Sequence, residues 1–206
     1  MTYRPPAFRN DDEHRLLELI HAFPLATLVT ASGGAIYATH LPLMAVRTAD
    51  GLRLQGHLAR ANEQWRHAPD AAAAFFRIAD HYVSPTWYPS KERDPRVVPT
   101  WDYVAVEARG TLQFIHDLDW LDDMAERLTE ANEARVGGTW EMDDAPRAYL
   151  EAEMKAIVGV EMAVSALTGT FKLHQHHPRE NIDEVIEGLD GLGAHARELA
   201  HYMREL

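Results

Sequence analysis

Hydrophobic and polar positions change rhythm several times along the chain, and each change marks an element. From Asn10 the spacing is helical. Leu16, Leu17 and Ile20 form an apolar stripe, Asn10-Asp-Asp-Glu13 has the spacing of a capping box, and Pro24 stops the run. A strand rhythm follows. It predicts a strand over 25–31, a tight turn at Ser32-Gly-Gly34, a returning strand over 35–46, a second turn at Thr48-Ala-Asp-Gly51 and a third strand over 52–58. Turns this short join antiparallel neighbours. A short helical segment is expected over 62–67.

Ala71 to Val83, rich in Ala, Phe and Ile, reads as a mostly buried strand, although its alanine run also suits a helix. Prolines 85, 89 and 95 make 84–96 a loop. Residues 97–115 read as one or two strands, with Gly110 as a bulge or bend. Asp117 caps a second helix, along which Leu118, Leu121, Met124 and Leu128 recur at helical spacing. Residues 134–144 read as irregular. Pro146 suits the first turn of a helix running to about residue 157, and 158–167 alternates as a strand. Short helices over 181–189 and 193–206 are expected to form an arm that packs on a partner. Strands in hairpins with helices inserted late give an α+β, mainly β architecture: an antiparallel barrel with peripheral helices, not a doubly wound sheet. The expected organisation is a barrel with inserted helices over 1–178 and a C-terminal helical arm of the same domain over 179–206.

Composition narrows the function classes. The 206 residues are 46% hydrophobic and 25% charged, ordinary for a soluble domain. The formal charge of −12 argues against DNA as a direct partner, because phosphate neutralisation needs cations. With no cysteine, disulfides, thiolate metal sites and cysteine nucleophiles are excluded. The N-terminal stretch has no apolar signal core, and no run reaches the ~18 apolar residues of a membrane span. A cytoplasmic protein is expected.

Three segments concentrate chemistry. Gly56-His-Leu-Ala-Arg-Ala-Asn-Glu-Gln-Trp65 enters a short helix with His57, Arg60, Asn62, Gln64 and Trp65 close together. Arg60 and a helix start suit a phosphate, and they equally suit a solvated helix end. The second segment is aromatic: Tyr82, Trp87, Tyr88, Trp101 and Tyr103 suit the walls of a planar ring site, or a core or subunit interface. The third holds histidines: His40 in a strand, and His174, His176 and His177 just past the last strand, where 174 and 176 are expected to alternate on one face. No H-E-x-x-H, Walker, dinucleotide-binding or nucleophile-elbow pattern occurs, and no metal site is expected. The acidic runs suit helix starts or solvated faces, and no catalytic residue is indicated.

Several of these segments, in order, resemble one family. Tyr3-Arg-Pro-Pro-Ala-Phe8, Ala38-Thr-His-Leu-Pro42, Gly56-His-Leu-Ala-Arg-Ala-Asn62, Tyr82-Val-Ser-Pro-Thr-Trp-Tyr-Pro-Ser-Lys91, Val98-Pro-Thr-Trp-Asp-Tyr103, Ala156-Ile-Val-Gly-Val-Glu161 and Lys172-Leu-His-Gln175 are similar to the PaiB-type proteins. That family is described as FMN-binding, negative transcriptional regulators. The resemblance spans about residues 1–190. It implies the FMN-binding split barrel of pyridoxamine-phosphate oxidases and flavin reductases, usually a homodimer with the flavin at the subunit interface. It also implies that the segment around Arg60 holds the flavin phosphate, that Trp87 and Trp101 line the ring or the dimer interface, and that Lys172 belongs to the site. Two motifs depart from the family pattern: Trp-Asn-Tyr stands here as Trp101-Asp102-Tyr103, and Lys-Leu-Ser-Gln-Asn as Lys172-Leu-His-Gln-His176.

Three functions are consistent with these observations. The first is an FMN-binding protein with oxidoreductase activity, the cofactor carrying the chemistry. The second is a ligand-sensing or interaction protein that affects transcription indirectly, since no helix-turn-helix or basic stripe is present. The third is a haem-binding split barrel using His40, His57 or His174.

Overall fold

The structure, a computed structural model, describes residues 3–206. In chain order the strands and α-helices are β1 (Arg9–Asn10), α1 (Glu13–Ala22), β2 (Leu25–Ser32), β3 (Ala35–Pro42), β4 (Met44–Thr48), β5 (Gly51–Ala59), β6 (Ala71–Val83), β7 (Thr100–Ile115), α2 (Leu118–Val136), α3 (Arg147–Ala156), β8 (Ile157–Lys172), α4 (Arg179–Asp190) and α5 (Ala194–Met203). Among the described residues, eight strands form one open antiparallel sheet in the order β3-β2-β6-β7-β8-β5-β4, with β1 added on β8. The chain divides into two compact units, one from residues 20–76 and 108–167, the other from residues up to 19, 77–107 and 168–206.

The first unit grows from hairpins. β2 pairs with β3 from Leu25↔Pro42 to Ser32↔Ala35, across the turn at Gly33 and Gly34. Alternation along β2 buries Ala26, Leu28 and Thr30 and leaves Leu25 exposed. The expected single strand over 35–46 is broken at Leu43. Its N–H donates to the Pro24 carbonyl at 2.9 Å, and the chain passes from its ladder with β2 into β4, which pairs with β5. β7 runs unbroken through Gly110. A Cβ there would stand 1.9 Å from the Ala163 carbonyl oxygen, so glycine is required by the close approach of β8. Helix α2 carries the predicted stripe, starts on the Asp117 cap, whose side chain accepts from the Trp120 N–H, and runs to Val136, into the stretch expected to be irregular. Leu121, Met124, Ala125 and Leu128 of α2 cluster with Met154 of α3.

In the second unit Arg9 and Asn10 are strand, not the start of a helix. Arg9 and Asn10 pair with Thr170 and Gly169 of β8, so the helix begins at Glu13, later than the capping-box spacing suggests. Asp12 serves as its cap: its Oδ1 accepts from the His14 N–H at 3.1 Å. The 84–96 loop contains two short 3-10 turns, Pro85–Trp87 and Pro89–Glu92. β8 extends to Lys172, beyond the expected end at 167. Helices α4 and α5 bury Ile182, Val185, Ile186, Leu189, Leu199, Tyr202 and Met203. Their apolar faces are therefore used inside this unit, where each fully buried side chain contributes about 1.5–3 kcal/mol, and they are not a free arm awaiting a partner.

Candidate functional site

The 56–66 segment joins β5 to a 3-10 turn, Glu63–Arg66. Its fold is held by side chains that sequence spacing alone could not pair. Asn62 caps the turn, its Oδ1 accepting from the Gln64 N–H at 2.9 Å, while its Nδ2 donates to Thr39 Oγ at 2.7 Å. Gln64 is buried, accepting from Thr39 Oγ at 2.5 Å and donating to Thr30 Oγ at 3.1 Å. Both residues are thus anchors of the segment. Arg60 caps the carbonyl end of α3: Nε donates to the Lys155 carbonyl at 2.6 Å and Nη2 to the Ile157 carbonyl at 2.8 Å. Its Nη1 lies 3.4 Å from His116 Nδ1. A guanidinium has five donors, so Nη1 and Nη2 retain N–H groups for a further acceptor. Trp65 packs beside it, its Nε1 donating to the Arg60 carbonyl at 2.9 Å, its ring edge-on to His116 and within 5.4 Å of the Arg66 guanidinium carbon.

His57 lies on β5 of the same unit. Its Nδ1 is buried and has no hydrogen-bond partner among the described residues. Burial pushes its pKa below the ordinary histidine value, so the ring is neutral at pH 7. An orphaned buried imidazole nitrogen at one point of the segment and a preoriented guanidinium at another fit a ligand with polar ring atoms and a phosphate.

The remaining predicted residues belong to the other unit. Trp87 packs on α4, where a Cβ on Gly188 would come within 2.6 Å of the indole. Glycine is needed there by contact, and Trp87 serves as a packing anchor. Trp101 is 54% exposed; its Nε1 donates to Asp80 Oδ1 at 3.0 Å, and the ring lies near His81 and Tyr82. Lys172 Nζ donates to Thr100 Oγ and, at 2.6 Å, to the Trp101 carbonyl, and stands 3.6 Å from Asp102 Oδ1.

The structure reveals a buried chain that sequence reasoning did not assemble. The fully buried His174 pairs through Nδ1 with Asp102 and through Nε2, at 2.6 Å, with the Tyr88 hydroxyl. Its φ of 64° removes it from any strand face, which corrects the alternation expected for His174 and His176. With both ring nitrogens engaged it has none to give a haem iron. The signal was present in the sequence: the two motif departures, Asp102 and His174, are one contact. Burial, then the nearby Asp102, pushes the Tyr88 pKa up to about 12.

The fold is that of a flavin-type split-barrel protein. The family described as "Putative FMN-binding domain" matches residues 2–166. The Bacillus subtilis protein PAI 2, named for protease synthase and sporulation, is 30% identical over 98% of this chain and 97% of its own. Among solved structures, the flavocytochrome Anf3 of Azotobacter vinelandii superposes with a TM-score of 0.57 at 13% identity, covering 82% of this chain and 72% of that one. The FAD and heme binding protein of Mycobacterium smegmatis gives 0.53 at 18%, covering 87% and 80%. The chain belongs to the PaiB-type FMN-binding family, and FMN is the cofactor that membership carries.

Proposed function

We propose that the chain is an FMN-dependent oxidoreductase in which the Arg60 corner holds the flavin phosphate. The observation that carries this reading is the Arg60 guanidinium, fixed by two backbone carbonyls with donors left over, beside Trp65 and His116. When bound, FMN supplies the electron-transfer chemistry. The chain's own part is to fix the phosphate through Arg60, to offer the neutral His57 to a polar ring atom, and to shield the site with Trp65.

The proposal includes a homodimer in the cytoplasm. The register places Leu25, Thr27, Val29 and Ala31 of β2, Ile36, Ala38 and His40 of β3, and Ala71, Ala73 and Phe75 of β6 on one sheet face. Leu25 and Ile36 are 64% and 76% exposed there, an apolar surface that a second copy would cover. A regulatory effect, suggested by the sporulation name of the Bacillus relative, is then indirect. The −12 charge predicts no sequence-specific DNA binding by the pure protein at physiological salt.

Reconstitution with FMN, followed by NAD(P)H oxidation, tests the reading. The expected result is a bound flavin spectrum, flavin-dependent turnover and a dimer by light scattering. A protein that excludes FMN sinks it. A haem reading rests on His40, whose Nδ1 meets Thr27 Oγ at 3.0 Å and whose ring is exposed, and on the haem named for the Mycobacterium structure. A Soret band lost in His40→Ala would favour it.

A further inference from the structure

The loop between β8 and α4 crowds three imidazoles. The His177 ring centroid lies 4.3 Å from that of His174, 4.5 Å from that of His176 and 5.3 Å from that of Tyr88. The His177 N–H donates to the His174 carbonyl at 2.8 Å. His174 itself sits at φ 64°, a conformation that a residue with a Cβ keeps only when its surroundings enforce it. Here the enforcement is the Asp102 and Tyr88 bonds. Two residues past His177, α4 begins, and its Asn181 ties back to the Tyr88 loop: Nδ2 donates to Ser90 Oγ at 2.9 Å and Oδ1 accepts from the Ser90 N–H at 3.2 Å.

We propose that this histidine loop is an acid-released latch: the uncharged His177 ring packs among His174, His176 and Tyr88 and helps hold the first turn of α4 to the Tyr88 loop, and protonation of His177 beside its neighbours releases that end of the helix. This goes beyond flavin binding and does not depend on it. The charged and titratable groups facing His177 come from each element packed around it. They are His174 and His176 from the loop, Asp102 from β7 and Tyr88 from the 84–96 loop, while Lys172 from β8 acts on the neighbouring His176. At the first turn of α4 the neutral Asn181 lies beside Glu180, which is paired with Arg93. The carboxylate of this cluster, Asp102, is already paired with His174 and stands 3.6 Å from Lys172, so little of its charge is left to hold a proton on His177.

Burial, then repulsion from His174 and His176, lowers the His177 pKa to about 4 from 6.5. The sign follows from linkage. The closed latch binds the proton less well than the open one. Closure is therefore fully favoured above 6.5 and weakens as pH falls from there towards 4.

The test is amide exchange, corrected for intrinsic rates and followed from neutral pH down to about 4, together with an NMR titration of the His177 ring in the same protein. Peptides over 176–186 should lose protection between pH 6.5 and 4, in step with the His177 titration, while strands over 25–59 stay protected. His177→Gln, which cannot charge, should keep protection at acid pH at least about tenfold above the parent chain. Three outcomes overturn the proposal: a midpoint more than about one pH unit from the His177 titration, loss of protection everywhere at once, or His177→Gln opening at the same pH as the parent. Should His177→Gln fail to fold, the agreement or disagreement of the two curves in the parent chain decides alone.

Discussion

The two polar clusters carry cations of equal charge and use them in opposite ways. Around Arg60 the guanidinium is bound to neutral backbone carbonyls, faces His116 and Trp65, and retains donors. Around Lys172 the ammonium donates to Thr100 and the Trp101 carbonyl and forms an ion pair with Asp102 at 3.6 Å, and the other oxygen of that carboxylate is held by a buried His174. An anion at the first cluster would find guanidinium N–H groups that no carboxylate holds. To join the second it would have to compete with a carboxylate already in place. The number of cations in a segment therefore says little about anion binding; what each cation already holds decides it.

The largest effect that would sharpen this contrast lies in the closed cluster. Asp102→Ala leaves a buried imidazole without its carboxylate and should cost about 3–5 kcal/mol in urea unfolding. Asp102→Asn with His174→Ser, which restores the pattern expected of the family in both motifs, should regain most of that loss. If the double variant is no more stable than Asp102→Ala, the two departures are not one compensated change. In the open cluster, Asn62→Ala removes a cap and a bond to Thr39 and should cost about 0.5–2 kcal/mol. Equal losses in Asp102→Ala and Asn62→Ala would erase the contrast.

Tyr88 gives a smaller, pH-dependent effect. Its folded pKa of about 12 lies above the ordinary 10, so the protonated phenol's contribution is intact below pH 10 and fades as pH rises from there to about 12. Tyr88→Phe should remove part of that alkaline loss of stability; an unchanged alkaline limb would show that the hydroxyl is not held in the buried chain. The smallest effect is expected at Lys172, where Lys172→Met should leave FMN affinity within about twofold of the parent. A tenfold loss would make the second cluster a flavin contact.

Periodicity carried most of the fold. β6 spans the predicted 71–83, and β2, β5 and α2 fall close to their expected places, because alternation and stripe reflect which face each element buries. The errors arose where a distant backbone overrode local spacing. Asn10 has a capping-box neighbour at Glu13, yet pairs with Gly169. Pro42 marks the break beside Leu43 locally, and the Pro24 carbonyl, which accepts the Leu43 N–H, fixes it there. The site was legible only as residue types. Arg60 and Trp65 could be singled out, but the holds on Asn62 and Gln64 come from Thr39 and Thr30, and Asp102 meets His174 across 72 residues of sequence.

The central claim is that Arg60 holds the flavin phosphate, and the most direct test titrates FMN and riboflavin against the parent chain, Arg60→Ala, Arg60→Lys and, as a control remote in sequence, Arg9→Ala. Loss of a charged hydrogen-bond partner removes roughly 1.5–3 kcal/mol, about ten- to a hundred-fold in affinity. Arg60→Ala should lose that much FMN affinity and little riboflavin affinity, because riboflavin has no phosphate. Arg60→Lys should recover only part, a point charge replacing a fork, and Arg9→Ala should bind both flavins like the parent. Unchanged FMN binding by Arg60→Ala, or an equal loss of FMN and riboflavin, would contradict the account and leave Arg60 as the cap of α3 alone.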